Sequence, residues 1–173
     1  RDYSFLVADT GAVTIKLHAY TKPQGTCYVH CDQPGNLDGI LKKLTLELED
    51  KTRLVVTGSI DARDLFCLSK VSYIDTIDLY QANIEAYDRF PADAIPSKSF
   101  MRSNINTLFI PKTVSEIQNC AFIYSKIKNI TIEKVAYIDA LAFSDCTELL
   151  SLYIRNTEPP AIANNNVFSN LNK

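Results

Sequence analysis

The sequence predicts an α/β solenoid of about five short stacked coils with a parallel sheet on one face, preceded by a small β-plus-helix cap. Two observations carry this prediction. First, Ile105-x-x-Leu108-x-Ile110, Ile127-x-x-Ile130-x-Ile132 and Leu149-x-x-Leu152-x-Ile154 repeat one apolar register at steps of 22 residues. A fixed period in the twenties marks a repeat architecture, because one short strand and its return segment cannot bury their own apolar side and must stack on neighbours. Second, Phe100, Phe122, Phe143 and Phe168 recur at spacings of 22, 21 and 25, as expected of an aromatic column opposite the sheet.

Residues 1–35 read as β structure. Val13, Ile15, Leu17 and Ala19 alternate with Thr14, Lys16, His18 and Tyr20, the period of a half-buried strand. Asp9-Thr10-Gly11 supplies a turn after Phe5 to Ala8, and Pro23-Gln24-Gly25 breaks the chain before a third strand, Cys27 to Cys31. These three strands are expected to form a small hairpin-based cap. A helix follows, with Asn36 as its N-cap and Leu37, Ile40, Leu41, Leu44 and Leu48 on one face. Thr45 to Leu48 also fits a strand, which leaves the end of the helix open.

The repeats extend back to residue 51. Leu54 and Val56 precede Ile77 and Leu79 by 23 residues, and these precede Leu108 and Ile110 by 31, one repeat of 22 plus nine extra. Strands are therefore expected in register at 54–56, 77–79, 108–110, 130–132 and 152–154. Ile95, Ile117 and Ile138 each lie five residues before a Phe, and Val114 and Val135 repeat at 21. The predicted organisation is a capping segment over 1–50 and a solenoid over 51–173, whose pattern loosens at Pro159-Pro160 and Asn164 to Asn166 into an incomplete C-terminal cap.

At 46% hydrophobic residues, with 5 Gly and 7 Pro, the composition suits one folded core. A net charge of −2 gives no electrostatic basis for binding nucleic acid or an anionic membrane. No apolar run is long enough to span a bilayer. The chain begins at Arg1 without Met or an apolar leader, which is expected of a segment of a longer protein whose targeting sequence has been removed. The five cysteines form no paired framework, and most sit beside apolar slots of the repeat, where a thiol acts as a small hydrophobe.

The stretches INTLFIPKTVSEIQNCAF, 105–122, and IKNITIEKVAYIDALAFSDCTEL, 127–149, resemble the BspA-like leucine-rich repeats of bacterial surface proteins. Pro111, Val114, Ile117, Ala121 and Phe122 match that pattern in the first unit. Ile130, Ile132, Val135, Ile138, Ala142, Phe143, Cys146 and Leu149 match it in the second. Ile77 to Ile84 and Ile95 to Phe100 look like an opening repeat, and Pro34 to Ile60 like the segment that precedes one. Glu133 stands where the pattern has proline, and Cys120 precedes Ala121 instead of following Phe122. The resemblance implies an extracellular or cell-surface anchored protein used for adhesion, with a protein or glycan partner on a host or neighbouring cell, and with further domains of a longer protein as additional partners.

The residues offer little chemistry. Cys27-Tyr28-Val29-His30-Cys31 suggests a metal, but on a strand the cysteines face one side and His30 the other, and no second ligand pair lies at zinc spacing. With only His18 and His30, and without a nucleophile elbow or a phosphate loop, no enzyme, cofactor or metal is expected. Asp61 is assigned to capping a short helical turn, and Asp75 and Asp78 to solvent-facing strand positions.

Two surfaces are candidates for binding. The nine-residue insertion between Leu79 and Ile95 carries Tyr80, Tyr87, Arg89 and Phe90, residue types enriched at interaction hot spots, and insertions in repeat proteins emerge on one face. The bland alternative is that Tyr87 and Phe90 fold back over the junction between cap and solenoid. The second candidate is the outward face of the sheet, where Tyr80, Phe109, Tyr153 and Arg155 alternate with buried slots. A structural spacer presenting another domain would carry the same trace.

Overall fold

Alternating apolar positions dictate which side of each strand turns inward, and in the computed structural model of the chain those positions line one continuous core. The structure describes residues 3–4, 16–17, 25–44 and 52–172. Its elements in chain order are β1 (Tyr3–Ser4), β2 (Lys16–Leu17), β3 (Thr26–Cys31), α1 (Leu37–Lys43), β4 (Arg53–Ile60), α2 (Ala62–Leu68), β5 (Thr76–Asp78), β6 (Ala82–Ile84) and β7 (Ala94–Ile95). There follow β8 (Thr107–Phe109), β9 (Glu116–Ile117), β10 (Asn129–Ile132), β11 (Tyr137–Ile138), β12 (Ser151–Ile154) and β13 (Ala161–Ile162).

The main sheet runs in the order β12-β10-β8-β5-β4-β3, with every pair parallel. Its register is the one the repeat period requires: Leu54 pairs with Ile77, Ile77 with Leu108, Leu108 with Ile130 and Ile130 with Leu152. All but the terminal Leu152 are buried. The long strand β4 splits its partner edge, pairing β5 at Arg53–Val55 and β6 at Gly58–Ile60. Ile95, Ile117 and Ile138, each five residues before a Phe, form a second parallel ladder, joined at its end by the exposed Ile162, in the order β7-β9-β11-β13.

Between the two ladders stand the phenylalanines. Phe100, Phe122, Phe143 and Phe168 stack nearly parallel with centroids 5.3, 5.1 and 5.5 Å apart. The return turns that carry them repeat a costly backbone conformation. Lys98, Cys120 and Leu141, and again Arg102, Tyr124, Asp145 and Asn170, all have φ between 56° and 61°, a region that strains L-residues by roughly 1–2 kcal/mol each. The gain is a division of N–H groups. Those of Phe100, Arg102, Phe122 and Tyr124 donate to Ala121, Ile123, Ala142 and Ser144 of the next coil, while Met101 and Ser103 close the local turn on Lys98 and Phe100.

Two expectations change at the N-terminal end. β3 does not join a hairpin; it pairs parallel with β4 over six residues, and α1 makes the crossover. Its inner face, Cys27, Val29 and Cys31, is apolar enough to extend the solenoid core, and a parallel neighbour is what a helical crossover delivers. Gly58 admits β3 at this point, since a Cβ there would lie 2.2 Å from the Cys31 carbonyl oxygen at φ 86°. β1 and β2 form a separate antiparallel pair. The rest of the expected N-terminal hairpin (5–15, 18–24), and Thr45 to Leu48, lie outside the described residues.

Asn36 precedes α1 but makes no side-chain cap, because its backbone already has helical angles, φ −96° and ψ −5°. Asp64 supplies the cap from another element. Its buried carboxylate accepts from the N–H of Gly35 at 2.6 Å and Leu37 at 3.0 Å, and also from the N–H of Asp61 at 3.0 Å, closing the capping box of its own helix α2. One carboxylate thus satisfies backbone donors of both helix starts.

Replacing Asp64 by Ala strands these buried donors and should lower stability by about 2–4 kcal/mol, read as a shift in denaturant midpoint. Phe122→Ala should cost about 3–5 kcal/mol. Phe168→Ala should cost clearly less, because that ring ends the stack and is 37% exposed.

Candidate recognition surface

The outward face of the main sheet follows from the same alternation that builds the core. In register across six strands lie Tyr28, Val55, Asp78, Phe109, Thr131 and Tyr153, with the column Arg53, Thr76, Thr107, Asn129 and Ser151 beside it. Phe109 and Tyr153 belong to one column, two strand spacings apart, or about 10 Å. Tyr80 does not join them; it follows β5, where its carbonyl accepts from the Lys112 N–H at 3.3 Å.

The environments of the two aromatics differ. Phe109 is half-buried, with the Arg53 guanidinium 5.5 Å from its ring centroid, and that guanidinium donates to the Asp78 carboxylate. Asp78 is therefore an outward-facing residue held in an ion pair, with only 15% of its side chain exposed. Tyr153 is 56% exposed; Arg155 lies 5.8 Å from its ring and reaches Glu133 at 3.3 Å. Beside them a cleft of about 510 Å³ is walled by Glu133, Lys134, Arg155, Asn156 and Pro159-Pro160. Asn156 is fixed there by its side chain, which accepts from the Val135 N–H at 2.9 Å and donates to the Val135 carbonyl.

The inserted loop takes a different course. Tyr87 and Phe90 exchange backbone hydrogen bonds at 3.0 and 2.9 Å around Asp88, whose φ is 52°. The Tyr87 ring lies under the Arg63 guanidinium at 4.0 Å, and Arg63 is anchored on the buried N-cap Asp61 at 2.6 Å. Phe90 meets Phe66 of α2 edge-on, with centroids 5.7 Å apart. Tyr87 and Phe90 thus pack onto α2, while Arg89 stays exposed with its guanidinium 5.3 Å from the Phe90 ring. No ring contact or hydrogen bond among the described residues joins this loop to Phe109, Tyr153 or Arg155.

Sequence reasoning passed over Arg53 and Tyr28, which share the outward face. The alternation in β3 and β4 was enough to find them once those strands were counted in the same sheet. It also places Cys27 and Cys31 inward and His30 outward, where His30 lies 2.9 Å from the Thr57 hydroxyl and 3.5 Å from Asp32. Among the described residues no group of three or more His, Cys, Asp or Glu is gathered for a metal, and no helix is long and apolar enough to cross a membrane. Asp61 and Asp64 are occupied with capping, and Asp75 holds the Asn106 amide at 2.8 Å. Cys67, in the cleft between α1 and α2, has its thiol pushed up to about 11 by burial and then by the nearby Asp38 charge.

A parallel repeat scaffold with ordered outward columns defines a protein that works by presenting surface. The family model for the BspA-type leucine-rich repeat region matches residues 79–173 in six copies, more than half of the chain, and the chain belongs to that family. No curated protein matches it.

The thiols give a pH dependence. Cys31 and Cys67 keep their protons to about 11 in the folded chain against an ordinary value of 9.0. Their contribution to stability is complete below pH 9 and is lost as pH rises to 11. Cys67→Ala should flatten the fall in denaturant midpoint between pH 9 and 11, and at pH 8 alkylation of native Cys67 should be far slower than of the unfolded chain.

Proposed function

We propose that this chain is a non-enzymatic recognition or adhesion module of an extracellular or surface-anchored protein. Its partner is a protein or glycan of a host or neighbouring cell. In this reading residues 1–50, whose strand β3 continues the main sheet, cap a solenoid of about five coils over 51–173, and binding runs through the sheet face and the 80–91 loop. The observation that carries the proposal is the outward column in which Phe109 and Tyr153 flank Thr131, with Arg155 beside the second ring. Aromatic and arginine side chains on a rigid sheet offer contact area at low entropic cost. The sheet face takes the larger share, because Tyr87 and Phe90 already pack on α2, which leaves Arg89 and the exposed edge of Tyr87 as the loop's contribution.

That same packing favours a second reading, in which the insertion is structural and the whole solenoid is a spacer presenting another domain. The double substitution Phe109→Ser with Tyr153→Ser separates the two. If the sheet face binds, attachment of the purified protein to cell-surface proteins or to a glycan array should fall at least tenfold, with the circular dichroism spectrum and thermal midpoint close to wild type. Attachment unchanged by the double substitution would reject the sheet face, and no attachment of the wild type to any surface would favour the spacer.

A further inference from the structure

The end of α2, with the residues that follow it to Ser72, and the turn carrying Phe100 line a groove of about 530 Å³. Its apolar lining is Phe66, Val71 and Met101, and its polar rim carries three cations, Lys70, Lys98 and Arg102, without one acidic side chain. All three cations are exposed, and none enters an ion pair among the described residues. Lys70 is close enough to act on the charge of Asp38, which is already bonded to Lys42 at 2.6 Å. The adjoining cleft between α1 and α2 shares Phe66, Lys70 and Val71 with this groove, but its own cations Lys42 and Arg63 are paired with Asp38 and Asp61, whereas Lys98 and Arg102 are not paired among the described residues.

The backbone also fixes where two of these cations stand. Lys98 and Arg102 occupy the left-handed positions of one return turn, φ 61° and 57°. Their Cα–Cβ bonds are therefore set by the hydrogen bonding that joins this turn to the next coil, in which the Arg102 N–H donates to the Ile123 carbonyl at 3.1 Å. Arg102 is further steadied by Tyr124, 5.8 Å from its guanidinium. Met101 lies between them, 42% exposed, an adaptable apolar side chain of the kind that accepts varied partners.

We propose that this groove docks an acidic peptide segment, with one apolar side chain on the Phe66, Val71 and Met101 lining and flanking carboxylates on Lys70, Lys98 and Arg102. Charge complementarity selects an anion. The apolar lining and the small number of cations select a short peptide over a sulfated glycan. A long polyanion would run past three cations onto the surface of a chain whose net charge is −2. The site is independent of the sheet-face reading, because it shares no residue with it.

The test is fluorescence anisotropy with a labelled short peptide that carries three glutamates around one leucine, run beside the same peptide with glutamines and a heparin hexasaccharide. The glutamate peptide should bind, weakening severalfold as salt is raised from low to physiological and beyond. The glutamine peptide, and the glutamate peptide against the Lys98→Gln, Arg102→Gln double variant, should each bind about tenfold more weakly. Lys70→Gln, on a different element, should weaken binding in the same direction and serves if the double variant loses its native circular dichroism. Equal binding of the two peptides, unchanged binding by the charge variants, tighter binding of heparin, or no binding at all would overturn the proposal.

Discussion

Stacking of one coil on the next at a single spacing is the constraint on which the rest of this structure depends. Parallel strands pair at about 4.8 Å, and the phenylalanine rings between the two ladders repeat at 5.1 to 5.5 Å. The two spacings are close enough for hydrogen bonds and aromatic packing to be satisfied together. A coil alone could do neither. Its strand would leave N–H and C=O groups on both edges, and the face of its Phe would meet water. Cys146 shows how little freedom remains inside: its thiol donates to the Phe122 carbonyl of the preceding coil at 3.0 Å and lies 3.4 Å from the Ser125 hydroxyl.

The return turns show what that constraint costs. Among the described residues seven other than glycine hold left-handed conformations at repeating positions, a strain of several kcal/mol in sum. It persists because it turns alternate N–H groups out to the next coil while the others close the turn. An unsatisfied buried donor would cost as much as or more than the strain that avoids it. The strain is thus distributed along the solenoid and does not mark one functional point.

The same geometry decides which surfaces are available. Strands in fixed register turn the outward residues into straight columns, so Phe109 and Tyr153 share a rigid line although 44 residues separate them in the chain. The insertion between β6 and β7 is drawn the other way, onto α2, because Arg63 and Phe66 offer its aromatic residues a cation and a ring edge. The return turn of each coil sets its side chains at fixed angles, and beside α2 this leaves Lys98 and Arg102 lining a groove that holds no acidic partner.

The sequence by itself determined the strand positions from Leu54 to Ile154, their register, the phenylalanine column and the outward position of Phe109 and Tyr153. All of these are encoded by residues two apart or one period apart, and a strand has only two faces. Tertiary structure alone decided that β3 joins the parallel sheet, that Asp64 caps a helix starting 27 residues earlier, that Arg53 spans Asp78 and Phe109, and that Tyr87 and Phe90 pack onto α2. Each of those depends on which polar or aromatic group a second element brings within reach. Periodicity states which side of a strand is buried; it carries no information about the partner that arrives from a non-repeating part of the chain.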